Sequence, residues 1–148
     1  MSEYSLTTEI INRSQLKIWD EAKLEWNLYQ IYEAEEPERC LCGHFPIMEI
    51  CILKNKLNGQ LATVGNCCVK KFISLPSDLI FQAVKRVRKD KQKSLNSEAI
   101  QHAYDKGWIN KWEYDFSFNT IRKRNLSEKQ LNTRIKVNEK MLANMRRH

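Results

Sequence analysis

The chain has 148 residues, 42% of them hydrophobic and four of them tryptophan, which suits a folded domain and argues against a disordered chain. It holds no run of about 18 apolar residues, so no membrane-spanning helix is expected. The opening MSEYSLTTEI lacks the basic start and apolar core of a signal peptide, which predicts a cytoplasmic protein. Charge is lopsided: residues 1–68 carry six Lys/Arg against ten Asp/Glu, residues 69–148 carry nineteen against eight, and the formal net charge is +7.

Residues 14–29 predict a helix. Ser14 is placed to cap it, and Leu16, Trp19, Ala22, Lys23 and Trp26 recur at spacings of three and four, with both tryptophans facing the core. The acidic run Glu33 to Glu38, broken by Pro37, reads as a connector that closes an N-terminal segment 1–38. Residues 39–75 form a second segment. Ile47 to Leu53 and Leu61 to Val64 are β-prone, and Asn58-Gly59 between them is a hairpin turn signal, because both residue types tolerate positive φ. Gly65-Asn66 supplies a bend and a cap for a short helix starting near Cys67.

Residues 76–148 read as a basic helical region. Ser77 caps a helix over 78–91 with Leu79, Ala83, Val84 and Val87 on one face, and Ser97 caps another to about Lys106, stopped by Gly107. A third runs from Trp108 to Arg124 with Ile109, Trp112, Phe116 and Ile121 inward. Ser127 starts the last, and Gln130 three residues on completes a capping box. The expected fold is α+β, mainly α: a zinc-stapled, treble-clef-like β-hairpin between an N-terminal helix and a C-terminal helical region, together one compact unit.

All five cysteines fall within 29 positions, Cys40 to Cys68, around Cys40-Leu41-Cys42-Gly43-His44 and Asn66-Cys67-Cys68. In a reducing compartment such a cluster reads as metal ligands rather than disulfides, and thiolate with imidazole is the ligand set Zn²⁺ prefers. Gly43 permits a tight turn that converges Cys40 and Cys42. Adjacent Cys67 and Cys68 diverge by about 100° on a helix, so only one reaches a given ion. The expected ligands are Cys40, Cys42, His44 and Cys68, with Cys67 and Cys51 as substitutes. No second histidine or acid pair marks an open catalytic position, so the Zn²⁺ is read as structural.

The run CLCGHFPIMEICILKNKLNGQLATVGNCCVKKF, residues 40–72, resembles a small zinc-binding module of poorly characterised phage and bacterial proteins. Its pattern is a CxCGH knuckle, a hairpin with an NG or TG turn, and VGxxC before a basic-aromatic helix start. The plan also resembles a treble clef, although this knuckle is one residue shorter than the usual CxxC. On that pattern Cys40, Cys42, His44 and Cys68 are the matching positions, while Cys67 and Cys51 are extra. A shorter segment, Arg122 to Gln130, resembles the basic "LSEKQ" endings of phage and bacterial proteins associated with nucleic acid. Both imply a phage or prophage setting.

The basic groups Lys70 and Lys71, then Lys85, Arg86, Arg88 and Lys89, then Arg122, Lys123 and Arg124 are the candidate phosphate contacts, with Phe72 and Trp112 near enough in sequence to stack on bases. Trp112, on the apolar stripe, reads more simply as core. His102 reads as a surface or capping histidine. Neither a Gly-rich phosphate loop nor a Ser-His-Asp arrangement is present, so no enzymatic role is expected. The function read from sequence is a non-enzymatic, zinc-binding, nucleic-acid-binding protein. The alternative is a phage-encoded protein-interaction factor that modulates or inhibits a host defence complex.

Overall fold

Ser14 ends a helix rather than starting one. In the computed structural model, which describes residues 3–71 and 77–146, helix α1 spans Glu3–Asn12 and buries Leu6 and Ile10. The Ser14 hydroxyl donates back to the Ile10 carbonyl at 2.6 Å and accepts from Trp26 Nε1 at 2.9 Å, so it closes that helix and anchors the next strand. The expected helix over 14–29 is therefore corrected: only the single turn α2, Trp19–Ala22, and the 3-10 turn Lys23–Glu25 are helical there.

From Trp26 the chain runs as strand β1, Trp26–Glu38, which takes in the acidic stretch that the sequence marks as a loop. The reason is a partner. The aromatic and β-branched residues between Trp26 and Tyr32 find an antiparallel neighbour in β2, Ile47–Asn55, and pairing of this kind outweighs local helix periodicity. Residues 34–37 depart from the ladder between the pairs Glu33↔Glu49 and Glu38↔Ile47, which accommodates Pro37 on an edge strand.

Strand β3, Leu61–Gly65, completes a three-stranded antiparallel sheet in the order β1-β2-β3. Being central, β2 is buried continuously from Ile50 to Leu53. Ile31, Cys51 and Val64 lie side by side across the sheet, while Tyr32, Ala34, Ile50 and Ile52 form a cluster with Ile47 packed against it. The connection from β2 to β3 turns at Gly59, whose φ is +76°; Asn58 does not share that conformation. Asn55 shapes the turn by accepting from the N–H groups of Leu57 and Asn58. Helix α3, Asn66–Val69, follows β3 directly.

Glu25 is a buried acid with its own cradle. It accepts from the N–H groups of Gln15 and Leu16 at 2.8 and 2.7 Å, and from Asn55 Nδ2 at 2.9 Å. Burial pushes the carboxyl up, but these donors together hold it below its usual range.

The chain forms two compact units, Met1–Leu75 with Arg146–His148, and Pro76–Met145. The N-terminal segment and the cysteine module thus share one unit. The second unit is helical: α4 Ser77–Lys89, α5 Ser97–Asp105, α6 Lys111–Thr120 and α7 Glu128–Asn144. Asn96, not Ser97, caps α5, accepting from the Ala99 N–H. Asn110 caps α6 in a capping box with Glu113, so that helix is shorter than its sequence pattern. The capping box of Ser127 and Gln130 begins α7.

Two expectations are corrected in this unit. His102 is buried, packed edge-on against Trp108 with ring centroids 5.3 Å apart. Trp112 is 63% exposed, because α6 turns Glu113, Ser117 and Thr120 inward instead. The architecture is α+β, with a three-stranded antiparallel sheet and about half the chain helical, which is less helical than expected. Among the described residues no helix is long and apolar enough to cross a membrane.

Candidate functional site

Strand β1 delivers Cys40 into a tight turn. The Cys40 carbonyl accepts from the Gly43 N–H at 2.8 Å and its N–H donates to the His44 carbonyl at 2.9 Å, with Gly43 at φ +97°. The Leu41 N–H donates to the Thr63 carbonyl at 2.8 Å, which ties the turn to β3. At the far end of β3, α3 presents Cys68. These three elements bring the sulfurs of Cys40, Cys42 and Cys68 within 4.8 Å of one another, and this group could hold a metal ion. Sulfurs on a tetrahedral Zn²⁺ stand about 3.8 Å apart for Zn–S bonds of about 2.3 Å, so small side-chain shifts suffice.

Within the trio the electrostatics favour thiolate at Cys40. The Cys68 thiol donates to the Cys40 sulfur, and the backbone N–H groups of Cys42 and Gly65 add to this against the opposing effect of burial, drawing Cys40 down to about 5. Cys68 is pushed up in turn, chiefly because it holds the shared proton. The remaining sequence candidates lie outside the trio. His44 and Cys67 are exposed, and Cys51 is wholly buried in the sheet, where burial, then the charges of Glu49 and Cys40, push its thiol up to about 12. All five cysteines are free thiols.

The basic residues divide between the units. Lys70 and Lys71 follow α3 in the first. In the second, a cleft of about 620 Å³ gathers Arg86 from α4, Lys93 from the following loop, Arg122, Lys123 and Arg124 from the α6–α7 connection, and Arg134 from α7. A single carboxylate, Asp90, lies among these six cations, and it accepts from the Gln92 N–H within its own turn. Lys85, Arg88 and Lys89 are exposed on α4 outside the cleft.

Arg134 is the residue that sequence reasoning missed, since it stands alone between Lys129 and Lys136 and outside the basic clusters of the chain. Its Nη2 donates to the Thr120 carbonyl at 2.6 Å and its Nη1 to the Gln92 carbonyl at 3.3 Å, so the guanidinium is fixed at the cleft wall. Burial and then the charge of Arg86 pull its pKa below the usual value, as expected where two cations share a site. Such a site binds anions, and the planar arginine forks suit phosphate oxygens. Phe72 lies outside the described residues. Set against known family models, curated proteins and solved structures, the chain matches none.

Proposed function

We propose that this chain is a non-enzymatic, zinc-binding nucleic-acid-binding protein of phage or prophage type. The observation that supports it best is the cleft of the helical unit, where six cations converge with one carboxylate among them. Phosphate oxygens are the anions most suited to so many arginines, and contacts of this kind position a strand without reading its sequence. In the other unit, Cys40, Cys42 and Cys68 hold one structural Zn²⁺. The fourth ligand in this reading is His44, which sits two residues after Cys42 on the knuckle turn with its ring exposed, outside the trio itself. Zinc staples the knuckle and α3 to the sheet, as suits a small module.

The test is binding of fluorescent single-stranded DNA, duplex DNA and RNA over a range of salt. With three to six phosphate contacts, the slope of log K against log salt should lie between about −2 and −5, and Arg122→Ala with Arg124→Ala should make it shallower by about 1.5. Affinity independent of salt, or unaltered in the double variant, would refute this reading.

A second reading has its own observation. Glu35 and Glu36 are exposed near the end of β1, an edge strand, where they line a cleft of about 430 Å³ with Glu38. Carboxylates there can stand in for phosphate toward a basic host protein. Retention of one host complex by the wild type, lost in Glu35→Gln/Glu36→Gln, without nucleic-acid binding, would favour that reading.

A further inference from the structure

Helix α6 keeps its aromatics off its most buried positions. Trp112, Tyr114, Phe116 and Phe118 alternate along it, while its inward positions are Glu113, Ser117 and Thr120. Each polar residue has a local reason to be there. Glu113 completes the α6 capping box and accepts from Lys140 Nζ at 2.6 Å, and the Thr120 hydroxyl donates to the Phe116 carbonyl at 2.8 Å. Tyr114 is used within the fold, lying against Tyr104 and Phe118. Trp112 is not: its indole is 63% exposed and its ring rests on Phe116 nearly parallel, 9° apart in plane and 5.6 Å between centroids. Phe116 backs the indole on one side.

This pair leads to the basic cleft. Trp112, Phe116 and Thr120 follow one another at four-residue steps over about 12 Å of the axis, each step turning about 40° from the exposed side toward the buried one. Phe116, Thr120 and Arg134 line one small crevice. Arg134, held by the Thr120 carbonyl, is also a wall of the cationic cleft. A stacked aromatic pair and a phosphate-binding cleft are thus joined through one arginine within one compact unit.

We infer that Trp112, backed by Phe116, is a stacking platform for an unpaired base of a single nucleic-acid strand whose backbone lies in the cleft of Arg86, Arg122, Arg124 and Arg134. The inference rests on the nucleic-acid reading above and deepens it by naming the strand type. Duplex DNA offers the cleft the same phosphates but keeps its bases paired, so it gains nothing from an indole. Stacking on an aromatic ring is worth about 1–3 kcal/mol per base, a factor of roughly 5 to 150 in affinity, and is indifferent to base identity.

The experiment compares the wild type, Trp112→Ala, Trp112→Phe and Arg122→Ala/Arg124→Ala on an oligothymidylate and on a duplex of equal length. Trp112→Ala should lose at least about fivefold on the single strand with its salt slope unchanged, and bind the duplex as the wild type does. Trp112→Phe should keep most of the single-strand affinity. The arginine variant should weaken both and flatten both slopes. Because Trp112 is exposed, its variants should melt as the wild type does. Trp112→Ala binding single strands like the wild type, or weakening equally on both forms, overturns the platform while salt-dependent wild-type binding leaves the cleft reading intact. A wild type that binds neither form overturns both.

Discussion

The backbone N–H of Gly65 donates to the sulfur of Cys40 across 3.3 Å, joining the last residue of β3 to the turn that follows β1. A donor aimed at sulfur is of most use when that sulfur is a thiolate, and metal-bound thiolates keep their charge. Cys40→Ser and Cys68→Ser should therefore cut zinc from about one ion per chain to nearly none and lower the melting midpoint by about 10 °C or more. Cys51→Ala, outside the trio, should keep its zinc. Elemental analysis with thermal melts checks all three; full zinc in the first two variants would remove the site.

Glu25 offers a stability test far from the cysteines. Glu25→Gln keeps the shape but gives up charge-assisted bonds to the N–H groups of Gln15 and Leu16, and turns an amide toward Asn55. A loss of about 2 kcal/mol is expected in denaturant unfolding, with the slope unchanged. Asn55→Ala should cost a similar amount, and the double variant less than the two combined, because the residues share one network.

His102 makes the helical unit sensitive to acid. Burial, then the nearby charge of Lys106, lowers its pKa from 6.5 to about 4, and its Nε2 has no hydrogen-bond partner among the described residues. Between those values the unfolded chain takes up a proton that the folded chain refuses. The contribution to stability is whole above about pH 6.5 and is lost as pH falls toward 4, reaching roughly 3 kcal/mol. Melts of wild type and His102→Gln from pH 7.5 to 4 should converge at low pH; parallel curves would show that His102 does not carry the effect.

The capping box of α7 gives a smaller, local effect. The Ser127 hydroxyl accepts from the Gln130 N–H at 3.2 Å, and the Gln130 side chain accepts from the Ser127 N–H at 3.1 Å. Ser127→Ala should cost about 1 kcal/mol, and Ser127→Asp should restore most of it, in thermal melts of the two variants.

Features governed by neighbours three or four residues away were legible without coordinates. Ser127 and Gln130 announce the start of α7, Gly59 a turn, Gly107 the stop after α5, and Cys40, Cys42 and Cys68 a shared site, because caps, turns and knuckles are made by residues close in the chain or of rare chemistry. Features decided by a distant partner were not. Trp26 to Glu38 carries a helical pattern at its start and a loop-like one at its end, yet becomes a strand because β2 supplies the hydrogen bonds. Trp112 sits on an apolar stripe but faces outward, since Glu113 is drawn inward by Asn110 and by Lys140 from another helix. Arg134 belongs to no run of adjacent basic residues and joins Arg86 and Arg122 only when α4, α7 and the α6–α7 connection pack together. Local hydrogen bonding and residue chemistry are written along the chain, whereas burial and convergence of charge depend on which distant segments meet.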